Sequence, residues 1–411
     1  MAEGRALSYA ELSELADRTA RRLAARGVGE GDRVAVALPA GIDFAAVVHA
    51  LPRLGAVLVP VNTRLGAAER AFVTEGARVV VEEPLDGEEA DVALRRTVDP
   101  EAPHSVIHTS GTTSRPKPVV LTYANHLASA EASAANLGVR DDDAWLGVLP
   151  LFHVGGLQVL LRSAIYGTTA VLHDGFDVDR VRTALESGEV TLASFVPTMV
   201  RRLREAGWER APRLRAALLG GGPVPRDLLE WAVEKRLPLL QTYGMTETAS
   251  QIVTAGGPDA PALPLPGVEL RTGSDGELLV RGPMVSVGAL SDDGWLHTGD
   301  RGTIAADGSL HVEGRIGDTI VTGGENVAAA EVEAALLSHP AVRDAGVVGR
   351  ADPEWGQVVT AYVVADGVSD DDLLAHARER LAGYKLPKAI HRRDELPRNA
   401  AGKLVRRLLD T

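Results

Sequence analysis

Hydroxyl side chains and cations are concentrated in one short segment of the sequence. Residues 109–117, TSGTTSRPK, hold five Ser or Thr residues together with Arg115 and Lys117. Hydroxyl groups, backbone N–H groups and cations are the donors that hold a polyphosphate. The segment is not a Walker A loop, because Pro116 and Pro118 flank the lysine where that motif has Gly and Ser or Thr. Composition alone is equally compatible with a polar surface loop.

Further segments rich in Gly, Thr and charged residues follow along the chain. They are GGGPVP at 220–225, QTYGMTET at 241–248, GWLHTGD at 294–300, EGRIGD at 313–318, GGEN at 323–326 and NAAGK at 399–403. Together with residues 109–117 they resemble, in the same order, the signature segments of the adenylate-forming acyl-CoA synthetase superfamily. This resemblance covers nearly the whole chain.

The resemblance implies an enzyme that uses ATP, Mg²⁺ and coenzyme A to join a carboxylic acid to a thiol. The implied phosphate-loop and nucleotide-segment residues are Thr109, Ser110, Gly111, Thr112, Thr113, Lys117, Gly221, Gly222 and Gly244. Glu247 is the implied metal ligand, since Mg²⁺ is commonly held by one or two carboxylates plus phosphate oxygens. Thr246 is expected to donate to the α-phosphate, and Tyr243 to offer a ring face to adenine.

One carboxylate and two cations complete the implied nucleotide site. Asp300 is expected to close a loop and accept hydrogen bonds from the ribose hydroxyls, with Arg315 donating nearby. Lys403 is the implied catalytic lysine, because a compact charge on a flexible stem suits a bridge between the acid and the α-phosphate. Gly323 and Gly324 belong to the loop implied for the thioester step.

Family members perform two half-reactions by rotating their C-terminal domain. The pivot is the second residue after the hinge arginine, where the family usually has Asp or Lys and this chain has Gly317. Glycine should pivot freely but offers no side chain as a latch. Ser114 and Pro118 also stand where the family commonly has glycine.

The segment PLFHVGG at 150–156 occupies the family's acyl-pocket position. The candidate acid-binding residues are His153, which is also a catalytic candidate, Gln158, Arg162 and Ser250. Arg162 interrupts an apolar stretch, so it either faces solvent on an amphipathic helix or holds a second carboxylate of the acid. This segment and residues 242–253 most resemble the branch of the family that activates an aromatic dicarboxylic acid.

Other functions share some of these features. A ligase for another aryl or medium-chain acid would carry the same motifs with a different pocket. A stand-alone adenylation domain loading a carrier protein would be expected to hold an amino group with an aspartate near the pocket, where His153 stands here. A non-catalytic adenylate sensor is disfavoured by the presence of both Lys403 and Glu247, and a metallohydrolase by the lack of HExxH spacing.

Short apolar runs separated by helical patterns must position these segments. They predict an α/β architecture with parallel sheets covered on both faces, followed after about Pro261 by short strands with Asp-Gly turns. We therefore predict a large N-terminal domain, residues 1–316, of layered α/β subdomains plus a small β-rich subdomain. Residues 317–411 are predicted to form a small, mobile α+β C-terminal domain.

Composition excludes several classes of protein. The net charge of −13 argues against a nucleic-acid coat or a polybasic membrane anchor. The absence of cysteine eliminates disulfides, thiolate metal sites and an enzyme-bound thioester, so the thiol must come from a substrate. No secretory signal or membrane span is recognisable. We expect a cytoplasmic enzyme that acts on small molecules, and a homo-oligomer is compatible with the sequence.

Overall fold

The structure is a computed structural model that describes residues 1–2, 4–109, 116–398 and 404–409. Its helices are α1 (Tyr9–Ala25), α2 (Ile42–Leu54), α3 (Ala67–Val73), α4 (Tyr123–Leu137), α5 (Val154–Tyr166), α6 (Val178–Ser187), α7 (Pro197–Glu205), α8 (Arg226–Glu234), α9 (Ala329–Leu337) and α10 (Asp370–Arg378). Within the described ranges, none of them combines the length and apolarity needed to cross a membrane.

The N-terminal part of the chain forms the first sheet. Its strands are β1 (Arg33–Val36), β2 (Val57–Pro60), β3 (Ala77–Val81), β4 (Pro103–Thr109) and β5 (Lys117–Thr122). The first four pair in parallel, in the order β3-β1-β2-β4, and β5 pairs antiparallel with β4. Residues 110–115 of the predicted phosphate loop connect β4 to β5 and lie outside the described ranges.

The second sheet follows the first in the chain. Its strands are β6 (Ala144–Gly147), β7 (Thr169–Leu172), β8 (Leu192–Phe195), β9 (Ala216–Leu219), β10 (Leu239–Met245), β11 (Ser250–Ala255) and β12 (Leu263–Pro264). Strands β10, β9, β8, β6 and β7 run parallel, and β11 and β12 add an antiparallel edge. Every residue of β6, β8 and β9 is buried, which explains their continuous apolar runs.

Two antiparallel sheets follow. The third contains β13 (Glu269–Thr272), β14 (Glu277–Arg281), β15 (Leu296–Ile304) and β16 (Leu310–Arg315). The fourth contains β17 (Thr319–Thr322), β18 (Glu325–Ala328), β19 (Val342–Asp352), β20 (Gly356–Ala365) and β21 (Ala389–Arg392). A separate apolar core, drawn from residues 320–390, joins the fourth sheet to α9 and α10. We call this unit the cap.

The predicted α/β fold class is confirmed, and one local prediction is wrong. Asp300 was expected in a loop, but it lies inside β15 and pairs with Arg315 of β16. Glycine two positions later, at Gly302, allows β15 to pair closely with β16. A Cβ on Gly302 would lie 2.4 Å from the His311 carbonyl oxygen, so a larger residue could not pair at that position. The domain division at residue 316 stays a prediction.

Candidate active site

The nucleotide segments predicted from the sequence follow the carboxyl ends of adjacent parallel strands. Gly221 and Gly222 follow β9 after one intervening residue, and Tyr243 and Gly244 lie near the end of the neighbouring strand β10. Ligands bind preferentially at this edge of an open α/β sheet. A Cβ on Gly244 would lie 2.1 Å from the Ser250 carbonyl oxygen, so glycine is needed for β11 to approach β10. The fold therefore brings these four residues to one edge.

Tyr243 connects that edge to the third sheet. Its hydroxyl donates to Asp300 Oδ2 at 2.7 Å, and Arg315 Nε lies 2.8 Å from Asp300 Oδ1. Burial, together with the neighbouring Asp300 carboxylate, raises the pKa of the Tyr243 hydroxyl. Thr298 supports the group, since its carbonyl accepts from Arg315 and its hydroxyl accepts from the Asp300 N–H. The predicted adenine and ribose residues therefore form one hydrogen-bonded group, and the sequence did not indicate the contact between them.

Thr246 and Glu247 lie on a single 3₁₀ turn after β10, with Glu247 half-buried. The Ser286 N–H donates to the Glu247 carbonyl at 2.8 Å and anchors the turn. One carboxylate fits an Mg²⁺ ion whose remaining ligands are phosphate oxygens and water. Among the described residues, no group of three or more His, Asp or Glu side chains forms a separate metal site. The donor set is therefore suited to a metal that arrives with a phosphate.

The chain leaves this turn through two strained residues. Ala249 has φ 50° and Ser250 has φ 115°, values that residues with a Cβ seldom adopt. Three hydrogen bonds hold the Ala249 backbone: its N–H donates to the Thr246 carbonyl at 3.0 Å, and its carbonyl accepts from Ser129 Oγ and Gln158 Nε2 at 2.9 Å each. These contacts stabilise the conformation that places Glu247.

Helix α4 supplies part of this support, and the sequence analysis missed it. Asn125, Ser129 and Ser133 recur every four residues on its buried face, together with His126. The recurrence of polar residues every four positions could have identified this support from the sequence, because polar groups on a buried helix face need hydrogen-bond partners. His126 Nδ1 accepts from Gln158 Nε2 at 2.9 Å, and its other ring nitrogen lies 3.0 Å from Ser105 Oγ.

The candidate acid-binding residues of helix α5 converge on the same place. Gln158 and Arg162 are each 1% exposed, one turn apart on the helix. Arg162 donates to Ser129 Oγ at 2.9 Å and lies 5.8 Å from the Trp145 ring centroid. Burial lowers the pKa of Arg162 to about 10. The alternative that Arg162 faces solvent on an amphipathic helix is thereby excluded.

His153 precedes α5 as its N-cap residue and is half-buried. Its N–H donates to the Pro150 carbonyl at 3.0 Å, and its ring lies 4.5 Å from that of Phe152. A Cβ on Gly156 would lie 2.3 Å from the same Pro150 carbonyl oxygen, so the helix can start here only with glycine at that position. The segment that the sequence assigned to the acyl pocket is thus tightly folded.

The two predicted lysines differ in what the structure shows of them. Lys117 begins β5 with an exposed side chain, and its carbonyl accepts from the Thr109 hydroxyl at 3.2 Å, which joins the two ends of the predicted phosphate loop. Ser110, Gly111, Thr112, Thr113 and Lys403 lie outside the described residues. Their roles stay predictions.

The predicted thioester and hinge glycines lie at turns. Gly323 and Gly324, with φ 57° and 85°, form the two-residue turn between β17 and β18, a conformation typical of tight hairpins. The Gly323 N–H donates to the Trp355 carbonyl, so this turn packs within the cap. Gly317 lies in the 3₁₀ turn between β16 and β17, and a Cβ there would meet no atom within 4 Å.

Comparisons with known proteins agree with this geometry. Residues 1–93 and 73–289 match the family described as AMP-binding enzyme, and residues 331–403 match its C-terminal domain. The chain is 41% identical to 2-succinylbenzoate–CoA ligase from Bacillus cereus (strain ATCC 14579), over 98% of this chain and 93% of that protein.

Two solved structures of o-succinylbenzoate CoA synthetase from Bacillus subtilis, each 38% identical, cover 100% of this chain, which covers 94% of each. The complex with the acyl-adenylate intermediate OSB-AMP superposes with a TM-score of 0.94. The structure of a double mutant bound to the product analogue OSB-NCoA superposes with a TM-score of 0.74. The arrangement of this chain is thus nearer to that of the acyl-adenylate complex. The chain belongs to the AMP-binding enzyme family.

Proposed function

We propose that this protein is a 2-succinylbenzoate–CoA ligase that forms 2-succinylbenzoyl-CoA from 2-succinylbenzoate, ATP and coenzyme A, as a step of menaquinone biosynthesis. The observation that carries the proposal is the 41% identity to a 2-succinylbenzoate–CoA ligase over 98% of the chain. The site geometry supports it, since residues for a nucleotide, a metal and an acid meet at the carboxyl edge of the second sheet.

In the first half-reaction, a carboxylate oxygen of the acid attacks the α-phosphorus of ATP, and pyrophosphate leaves. Asp300 accepts hydrogen bonds from the ribose hydroxyls, and Arg315 holds its carboxylate in position for that purpose. Thr246 donates to the α-phosphate, and Lys117 and Lys403 neutralise charge that develops on the phosphates. Glu247 holds Mg²⁺, which shields the phosphate oxygens when bound.

The second carboxylate of 2-succinylbenzoate needs a cation, and Arg162 is our candidate for it. Among the described residues Arg162 has no ion-pair partner, and its Nε makes no hydrogen bond. A buried cation without a counter-ion is costly, so a carboxylate that arrives with the substrate would be bound strongly. We place the ring carboxylate against Arg162, with Gln158, Ser250 and His153 around the succinyl arm.

In the second half-reaction, the thiol of coenzyme A attacks the acyl carbonyl of the adenylate, AMP leaves and the thiol proton is released. The chain has no cysteine, so the acyl group passes directly to coenzyme A without an enzyme-bound thioester. The Gly323–Gly324 turn lies on the cap and is proposed to enter the site after the domain between residues 317 and 411 rotates about Gly317. We place the reaction in the cytoplasm.

A pyrophosphate-release assay over a panel of carboxylic acids, with and without coenzyme A, tests the proposal. 2-Succinylbenzoate should be among the best substrates, ahead of benzoate and medium-chain acids. If another aryl acid is preferred by more than about tenfold, the substrate assignment fails while the enzyme class stands. Release that needs a carrier protein in place of coenzyme A would favour the adenylation-domain alternative.

A further inference from the structure

Arg406 joins the hinge turn to two elements of the cap with one side chain. Its Nη1 lies 2.6 Å from Asp318 Oδ2, and its Nη2 donates to both carboxylate oxygens of Glu333 at 2.8 and 2.9 Å. Its Nε donates to the Val347 carbonyl at 3.2 Å. Asp318 ends the hinge turn, Glu333 lies on α9 and Val347 on β19. We call these four residues the Arg406 clamp.

The buried carboxylate of Glu333 depends on Arg406 for its counter-charge. Glu333 is 7% exposed, and burial raises the pKa of its carboxyl to about 7 while Arg406 opposes that shift. The Val347 N–H also donates to Glu333 Oε1 at 2.8 Å. The fork geometry of arginine satisfies Glu333 and Asp318 together, which a lysine ammonium reproduces only in part.

Arg406 also follows the end of the predicted lysine loop, residues 399–403. The flanking residues Arg398 and Leu404 form a β-bridge, and the Val405 N–H donates to the Pro397 carbonyl at 2.8 Å. Arg398 contacts Asp344 of β19 at 2.6 Å. Both ends of the loop are therefore attached to the same strand that the clamp engages.

The hinge is bounded on both sides by ion pairs. Arg315 is bound to Asp300 and to the Thr298 carbonyl, both in the third sheet. Asp318 is bound to Arg406 in the cap. Only Ile316 and Gly317 lie between these two anchors, so they are the residues left to absorb a rotation.

From this geometry we infer that Arg406 is a positioning residue that holds the chain directly after Lys403, from Leu404 onward, in a fixed place relative to Asp318 of the hinge turn. The inference rests on the proposed role of Lys403 in adenylate formation. Lys403 acts only when its ammonium reaches the reacting atoms, and displacements of about 1 Å cost about 100-fold in rate. Loss of the clamp should therefore slow adenylation and spare the thioester step.

The test compares both half-reactions of the full-length enzyme. Arg406→Met should lower kcat of acid-dependent ATP–pyrophosphate exchange about 10- to 100-fold, with the KM for ATP changed less than about twofold. Thioester formation from supplied acyl-adenylate and coenzyme A should stay within about threefold of the unmodified enzyme. Arg406→Lys should recover part of the exchange rate, because it keeps one ion pair.

Arg407→Met is the matched control, since Arg407 is adjacent, exposed and has no hydrogen bond or ion pair with the described residues. It should leave both half-reactions unchanged. All rates are measured well below the melting temperature of each variant, so that loss of folding does not enter. Equal losses in both half-reactions, or exchange as fast as in Arg407→Met, would overturn the inference.

Lys403→Ala separates this inference from the proposed function. If Lys403→Ala abolishes exchange but Arg406→Met does not, the clamp has no positioning role and the proposed function stands. If the unmodified enzyme shows no acid-dependent exchange, the proposed function itself fails. Asp318→Asn should lower exchange less than Arg406→Met does, and the double variant should be no slower than Arg406→Met alone. Additive losses would contradict a shared clamp.

Discussion

Arg162 differs from the other buried charged side chains of this protein. Asp143, Asp300 and Glu333 each contact an arginine, whereas Arg162 has only the Ser129 hydroxyl and the face of Trp145 among the described residues. Burial disfavours the charged form of any group, and the lowered pKa of Arg162, about 10, still leaves it protonated at neutral pH. The residue is therefore suited to receive an anion.

Arg162→Ala should raise the KM for 2-succinylbenzoate about 30- to 100-fold and leave the KM for ATP nearly unchanged, because a desolvated charge contact is lost only with the acid. Steady-state kinetics with each substrate varied in turn measure this. The control substrate is 4-oxo-4-phenylbutanoate, which lacks the ring carboxylate and should be used equally well by both enzymes. Unchanged kinetics with 2-succinylbenzoate would refute the assignment of Arg162.

At the scale of elements, helix α5 positions most of the proposed acid pocket. His153 caps its N-terminus, while Gln158 and Arg162 project from the helix to the Ala249 carbonyl and Ser129. The start of the helix packs directly on backbone, since a Cβ on Gly156 would lie 2.3 Å from the Pro150 carbonyl oxygen and 2.5 Å from that of Leu149. The Pro150 carbonyl also accepts from the N–H of the N-cap residue His153 at 3.0 Å, which holds it in place.

Gly156→Ala should destabilise the fold by about 2–3 kcal/mol and raise the KM for the acid, because the helix must shift to admit the methyl group. Gly155→Ala is the matched control. Its Cβ would lie 3.3 Å from a Leu149 side-chain atom, which can rotate away. Urea denaturation of the two variants gives the comparison. Equal midpoints would show that the close approach to the Pro150 carbonyl does not cause the loss of stability.

At the scale of the whole molecule, acid sensitivity should come from buried histidines. The ring centroids of His104 and His126 lie 4.7 Å apart, and the two residues are 6% and 3% exposed. Burial lowers the pKa of His104 to about 4 and that of His126 well below its usual value. His126 Nδ1 accepts from Gln158, so protonation there would also break a contact that supports the Ala249 carbonyl.

The unfolded chain takes up a proton on His104 below about pH 6.5, whereas the folded chain takes it up only near pH 4, so stability falls as the pH falls between those values. The lowered pKa of His126 acts in the same direction. His104 alone should contribute a loss of about 2 kcal/mol between pH 7.5 and pH 5. Urea unfolding at the two pH values should show that loss reduced by His104→Phe and unaffected by His311→Phe, since His311 is exposed. Equal pH dependence in all three proteins would exclude His104 as the source.

The sequence by itself determined the family, the order of the signature segments and the fold class. Its buried strands were recognisable because a parallel strand covered on both faces must be apolar throughout, as at Ala216–Leu219. Helix capping is equally local, since Ser8 and Glu11 hydrogen-bond each other's backbone at the start of α1. Signals of this kind depend on residues within a few positions of each other.

Only the tertiary structure decided which distant residues meet. The Tyr243–Asp300, Gln158–Ala249 and Arg406–Asp318 contacts join residues 57, 91 and 88 positions apart. Local patterns carry no information about such separations, because the pairing depends on how sheets and helices pack. The same limit explains Asp300, whose Gly-rich surroundings favour a loop although the residue pairs with Arg315 of the neighbouring strand β16. Residue types were sufficient to predict the chemical role of each group, whereas the residues that position it could be identified only from the tertiary structure.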